Sequence, residues 1–215
     1  MNLHLRRKHK RRLPSRESIP MVIPSQPNQM WSMDFVHDSL YDGRRVRTLN
    51  VLEDFNRQAL AMEVDTSINA KRMIELLDRL IEKHGKPIAV RTDNGPEFVS
   101  HIFMDWCHRK RIRQQFIQPG KPVQNSLIER FNGTYRKEVL DAYVFYTVQE
   151  LRNITTQWMA QYNQYRPHES LQNLTPELYL FKYGKRTLEN NLEEFTTFQP
   201  NNNEINDELS NIVWH

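Results

Sequence analysis

The sequence predicts an α/β domain built on a mixed sheet, and three observations predict it. Three apolar, β-rich segments follow one another at close spacing near the start. A helix of 3.6-residue period comes next and leads into a short apolar strand. Further helical and strand segments fill the next hundred positions. With 215 residues, the chain has room for one domain of ordinary size and its appendages.

The three early strands are placed at residues 31–36, 45–53 and 59–64, the first two joined by the turn Tyr41-Asp42-Gly43. Their spacing calls for antiparallel hairpins. Residues 69–84 form the first helix. Met73, Leu76, Leu77, Leu80 and Ile81 share one face, and Lys71, Arg72, Glu75, Asp78 and Glu82 lie between them. Gly85 and Pro87 stop it. A strand at 88–92, a helix at 100–109 and a strand at 113–118 follow. Residues 118–122, Gln-Pro-Gly-Lys-Pro, read as a loop. Helix resumes at 126 and runs to about 140, and a long helix covers about 148–165. Pro176 stands at the first position of a short closing helix.

Charge divides the chain into three parts. The net charge is +4, but residues 1–16 carry Arg6, Arg7, Lys8, Lys10, Arg11, Arg12 and Arg16 with no acid. From Thr187 onward, six acids face no Lys or Arg. The expected division is a basic, Pro-rich arm and linker at 1–27, a folded domain at 28–185, and a flexible acidic, Asn-rich tail at 186–215. A basic arm of this kind suits a polyanion, and it equally suits a solvated terminus. The single Cys107 excludes a disulfide framework and a cysteine zinc site. No apolar run is long enough to span a bilayer, and no apolar stretch follows the basic start as a secretory signal would require. These features point to a reducing, cytoplasmic setting.

Three acids stand where chemistry is possible. Asp34 interrupts the apolar strand Trp-Ser-Met-Asp-Phe, although Asp is depleted in strands. Asp93 follows directly on the strand ending at Thr92 and opens Asp93-Asn94-Gly95, which is also strong turn chemistry. Glu129 lies on the helix beginning at 126. Carboxylates from separate segments suit hard divalent cations, and two such ions about 3.5–4 Å apart promote phosphoryl transfer. Among 26 acids, however, some triple at any chosen spacing is expected by chance.

The strings around these acids narrow the choice. Residues 31–35 (WSMDF), 91–98 (RTDNGPEF), 118–140 (QPGKPVQNSLIERFNGTYRKEVL) and 162–179 (YNQYRPHESLQNLTPELY) closely resemble bacterial insertion-sequence transposases of the group that looks like retroviral integrase. The resemblance runs over roughly residues 4–180. Thirty-five residues separate Asp93 from Glu129, as in that group's D,D(35)E arrangement, and Arg136 fills the basic position seven residues after the glutamate.

The resemblance implies a ribonuclease H-like fold with three antiparallel N-terminal strands. It implies DNA strand cleavage and transfer at element ends, with two Mg²⁺ ions, or Mn²⁺ in their place, on Asp34, Asp93 and Glu129. DNA would be the partner, held by a homo-multimer on the bacterial nucleoid. Helical spacing puts Glu129, Asn132, Arg136 and Leu140 on one face. Arg136 is therefore expected at a DNA phosphate, or else in an ion pair with Glu138 or a nearby acid. Lys121, Gln124 and Asn125, in the loop before the helix, are further DNA-contact candidates or ordinary loop residues. Asn94 orients Asp93 or serves only the turn. Arg166-Pro167-His168 resembles the group's Arg-Pro-His triplet, with Arg166 either on DNA or bracing the fold. His168 is disfavoured as a metal ligand, and Trp106, Phe131 and Trp158 fit the core.

Chains of this group usually carry a helix-turn-helix region ahead of the basic arm, often joined from an upstream frame. The expectation is therefore a truncated copy, an internal start or half of an interrupted gene, with an upstream helix-turn-helix partner possible. The tail matches no pattern of the group. Two alternatives follow: a non-transposing remnant that binds DNA through its arm, or a resident ribonuclease H-type nuclease.

Overall fold

The computed structural model describes residues 24–117 and 125–184. A five-stranded sheet runs in the order β3-β2-β1-β4-β5. Strands β1 (Met30–Ser39), β2 (Arg45–Glu53) and β3 (Ala59–Asp65) form an antiparallel meander. Helix α1 (Ala70–His84) crosses over to β4 (Ala89–Thr92), which pairs parallel with β1. Helix α2 (His101–Lys110) then leads to β5 (Arg113–Phe116), parallel to β4. Strand β1 is thus the seam between the antiparallel and parallel halves. Helices α3 (Ser126–Tyr135), α4 (Val148–Gln164) and the short α5 (Pro176–Tyr179) complete the fold. The mixed sheet expected from sequence is present.

The pleat sorts the strands' side chains onto two faces. Trp31 and Met33 of β1 and Leu49 and Val51 of β2 pack with Met73, Leu77 and Leu80 of α1 and Phe103 and Trp106 of α2. Val36, Val46 and Leu52 pack on the other face with Ile128, Phe131 and Tyr135 of α3 and Leu151, Trp158 and Tyr162 of α4. The three aromatic residues assigned to the core are all there.

Local chemistry sets most of the boundaries. Asn69 caps α1 by accepting the Arg72 N–H at 3.0 Å, and Gly85 ends it at φ 90°, a value that favours glycine. Thr147 and Glu150 form a reciprocal capping box at the start of α4. Three boundaries are set by features that the sequence reading does not include. Strand β1 runs on to Ser39, because the hairpin partner Arg45 extends the ladder past the last apolar residue. Helix α2 stops at Arg111 in the left-handed conformation (φ 55°) without a glycine. After Tyr135 the expected continuous helix widens into a π-type turn, Arg136–Leu140, closed by the Asp141 N–H on the Arg136 carbonyl at 2.8 Å. The wider turn rotates Leu140 off the face of Glu129, and Leu140 is buried in the α3–α4 core.

Helix α4 also covers the edge strand. Asn163 accepts the Ala59 N–H and donates to the Ala59 carbonyl, both at 2.9 Å, and Arg152 pairs with Asp65 at 2.6 Å. Among the described residues no helix is long and apolar enough to cross a membrane.

A buried ion pair ties the meander to the parallel half. Arg91 on β4 donates to Asp54, just past β2, at 2.6 Å, and both side chains are almost fully enclosed. Asp54→Ala leaves the guanidinium buried without its partner and is expected to cost about 3–5 kcal/mol in chemical denaturation.

Candidate active site

Asp34 sits at the middle of β1, one residue on from the core residue Met33, so the pleat turns it to the α3 side of the sheet. Two donors hold its carboxylate. The Phe35 N–H donates to one oxygen at 2.8 Å, and the Asn132 amide on α3 donates to the other at 2.8 Å. Asn132 is oriented in turn by Asn50, whose amide donates to its carbonyl at 2.7 Å. Asn50 lies opposite Asp34 in the β1–β2 ladder. A relay therefore runs from β2 through α3 to Asp34. Neither Asn50 nor Asn132 stands out as a site residue from sequence. The available signals were an Asn inside an apolar strand and an Asn one turn after Glu129.

Asp93 leaves the C-terminal end of β4, the parallel neighbour of β1, and is exposed. Its carboxylate accepts the Gly95 N–H at 2.8 Å, which closes the expected Asp-Asn-Gly turn. A Cβ on Gly95 would lie 2.9 Å from that same carboxylate oxygen, so a larger residue there would displace the Asp93 carboxylate. Glu129, on the first turn of α3, is also exposed. Asp34, Glu129, Asn132, Gly133 and Arg136 line one open groove of about 410 Å³.

The three acids share an electrostatic field. The Asp34 carboxyl is pushed up to about 6: burial raises it most, the Phe35 and Asn132 donors lower it, and the charges of Asp93 and Glu129 raise it. Among the described residues, no three His, Cys, Asp or Glu side chains converge closely enough to hold an ion as they stand. The donor set nonetheless fits a hard divalent cation. It is oxygen-only, it comes from three elements, and its members repel one another, which a cation would relieve.

The remaining candidates fall into distinct places. Arg136 lines the groove, donating to the His37 carbonyl at 2.6 Å and lying 3.7 Å from Asp141, so its acidic neighbour is Asp141 and not Glu138. Glu138 instead takes Arg166, which also lies over the Tyr162 ring. Arg166 is therefore a brace between the π-type turn and the end of α4, away from the groove. Asn125 is buried. His168 packs edge-on against Tyr162 and takes no part in the groove. Lys121, Gln124, Arg6, Arg7, Lys8, Lys10, Arg11 and Arg12 lie outside the described residues.

Two models of the integrase core domain match this chain, one over residues 24–122 and the other over 110–176. The chain is 38% identical to an uncharacterized 39.2 kDa protein of insertion element IS476 from Xanthomonas euvesicatoria, over 87% of this chain and 54% of the relative. It is 40% identical to a 31.7 kDa protein of insertion element IS407 from Burkholderia multivorans, over 84% of this chain and 65% of the relative. The chain thus spans about half to two thirds of the length of these curated relatives. Among solved structures, the HTLV-2 integrase catalytic core domain in complex with magnesium superposes with a TM-score of 0.57 at 22% identity, over 72% of this chain and 97% of that one. The catalytic core domain of BIV integrase superposes with a TM-score of 0.55 at 20% identity, over 74% and 99%. The fold is that of the retroviral integrase cores, which is ribonuclease H-like.

Asp34 ionises against its surroundings, and the sign of its effect on stability follows. Its folded pKa lies above the unfolded value of 3.8, so the native state binds the proton more tightly. The contribution of Asp34 to stability is therefore fully present below about pH 4 and is lost as pH rises to about 6. In metal-free buffer Asp34→Asn should therefore stabilise the protein at pH 7.5, by about 1–2 kcal/mol. That gain should vanish at pH 4, as read from urea unfolding at the two pH values.

Proposed function

We propose that this chain, which belongs to the integrase core domain family, is a transposase core that cuts and joins DNA strands at the ends of an insertion element, using divalent ions on Asp34, Asp93 and Glu129. The observation that carries this reading is the field at Asp34. Asp34 from β1 and Glu129 from α3 line one groove, and the charges of Glu129 and of Asp93 at the end of β4 both raise the proton affinity of Asp34. The insertion-element proteins among the relatives support transposition as the setting. A related core solved with magnesium supports Mg²⁺ as the ion, and Mn²⁺, with the same preference for oxygen, is the expected substitute.

A pair of such ions, when bound, would lower the pKa of an attacking water or 3′-hydroxyl and stabilise the leaving 3′-oxygen. The protein's own part is positional. Asn50 and Asn132 fix the rotamer of Asp34, and the Gly95 N–H fixes Asp93 at the strand end. Glu129 is carried on a helix whose other faces are locked by Ile128, Phe131 and Tyr135, so it has a rigid base. Arg136, on the groove wall, would meet a backbone phosphate beside the acids. Lys121 and Gln124 would add contacts in the segment ahead of α3, whereas Asn125, buried, would hold the start of the helix and not the DNA. The arm residues Arg6, Arg7, Lys8, Lys10, Arg11 and Arg12 would hold DNA beyond the core, with Arg166 as support from behind. Joining two element ends calls for a multimer, and dimeric and trimeric forms of the HTLV-2 core support one. An upstream helix-turn-helix protein would supply end recognition, and the bacterial nucleoid would be the place of action.

Purified protein should nick duplex DNA carrying the element's terminal repeats in Mg²⁺ or Mn²⁺, and Asp93→Asn should reduce nicking to background. Equal activity in the two would remove the reading. Gly95→Ala, which crowds the Asp93 carboxylate, should slow nicking while leaving the unfolding midpoint near that of the parent.

A further inference from the structure

Helix α3 has a second cavity on its other side. While Glu129, Asn132 and Arg136 line the acidic groove, Arg130, Phe131 and Thr134 line a cavity of about 610 Å³ with a different electrostatic character. Its walls bring together Arg57 from the β2–β3 turn, Arg130 from α3, and Arg166 and His168 from the segment after α4. Among the described lining residues Glu169 is the one carboxylate.

Three observations make this a built site. Arg57 is only 6% exposed, and its Nε has no hydrogen-bond partner; its terminal nitrogen donates to the Asp54 carbonyl. The His168 Nε2 is likewise buried without a partner. The charges also converge. The Tyr162 hydroxyl, raised by burial, is pulled back by Arg166, Arg57 and Arg130 together. Burial and the charges of Arg166 and Arg57 together lower His168 to about 4. Like charges gathered around a cavity with unpaired N–H donors are stabilised by an anion that can accept several hydrogen bonds at once. Arg166 is half-engaged by Glu138, and Arg57 is neutralised in part by Asp54, which leaves Arg130 as the arm with no such acidic partner.

We propose that this cavity binds a phosphate group, its donors being Arg57, Arg130 and His168. The source is either a phosphodiester of nucleic-acid backbone running behind α3 or a free phosphate. The site is separate from the carboxylate groove and needs no divalent ion.

The test uses the full chain in Mg²⁺-free buffer with EDTA, at constant ionic strength. The His168 ring is followed by NMR while inorganic phosphate is added. The expected result is saturable movement of the His168 signals, weakened roughly tenfold in Arg130→Gln, the loss of one charge-assisted hydrogen bond. Glu169→Gln should tighten binding, since it removes the carboxylate from the wall, and that opposite sign separates recognition from general damage. In a second arm, short duplex DNA replaces phosphate. If the duplex moves the same signals and Arg130→Gln weakens it, the source is the nucleic-acid backbone. If phosphate alone moves them, the source is free phosphate. Absence of saturable movement with either, or equal affinity in the parent and Arg130→Gln, overturns the proposal.

Discussion

Met33 and Asp34 are neighbours on β1, and the pleat separates them by the thickness of the sheet. Met33 goes under α1 into a dry core, and Asp34 goes to the α3 side, where it is only partly covered. This placement of a carboxylate in the seam strand constrains much else. A carboxylate there needs donors, and Phe35, Asn132 and, behind Asn132, Asn50 supply them. It needs a helix at a fixed height above the sheet, which the packing of Ile128, Phe131 and Tyr135 provides. It also raises the cost of bringing Asp93 and Glu129 near, and that electrostatic cost is what a cation can offset. Fold and candidate chemistry thus meet at one side chain.

The two halves of the sheet contribute differently. The antiparallel meander sets Asp34 and Asn50 opposite each other through its register, and a one-residue slip would turn both to the wrong face. The parallel half delivers Asp93, because a parallel neighbour of β1 ends where its following turn can bear on β1's middle. The buried Arg91–Asp54 pair holds the halves together, with Arg91 on β4 two residues ahead of Asp93.

The mixed sheet was legible because it rests on local signals, hairpin spacing and a 3.6-residue period; Asp34 stood out as an Asp where strands disfavour it, and Asp93 and Glu129 joined it through the family resemblance. Thr147 and Glu150 announce the start of α4 just as plainly. What was not legible depends on docking. Asn132 becomes a donor to Asp34 only once α3 is set over β1 and β2 in one register. Leu140 leaves the groove face because the helix widens after Tyr135, and no residue type at 136–140 forces that choice. Arg111 takes a left-handed cap that glycine would ordinarily occupy. Arg57, Arg130 and Arg166 lie far apart in sequence, and only the packing of α3, α4 and the β2–β3 turn brings their charges to one cavity.

The central claim is that Asp34, Asp93 and Glu129 act on one another as a single charged cluster. Carboxyl carbon NMR of Asp34 in the metal-free protein tests it directly, in the parent and in Glu129→Gln. The account predicts a midpoint near 6 in the parent, a lower midpoint in Glu129→Gln, and an Asp34 that stays ionised at lower pH when Mg²⁺ is added. An Asp34 that titrates in the ordinary carboxylate range near 4, unmoved by Glu129→Gln or by Mg²⁺, would contradict it.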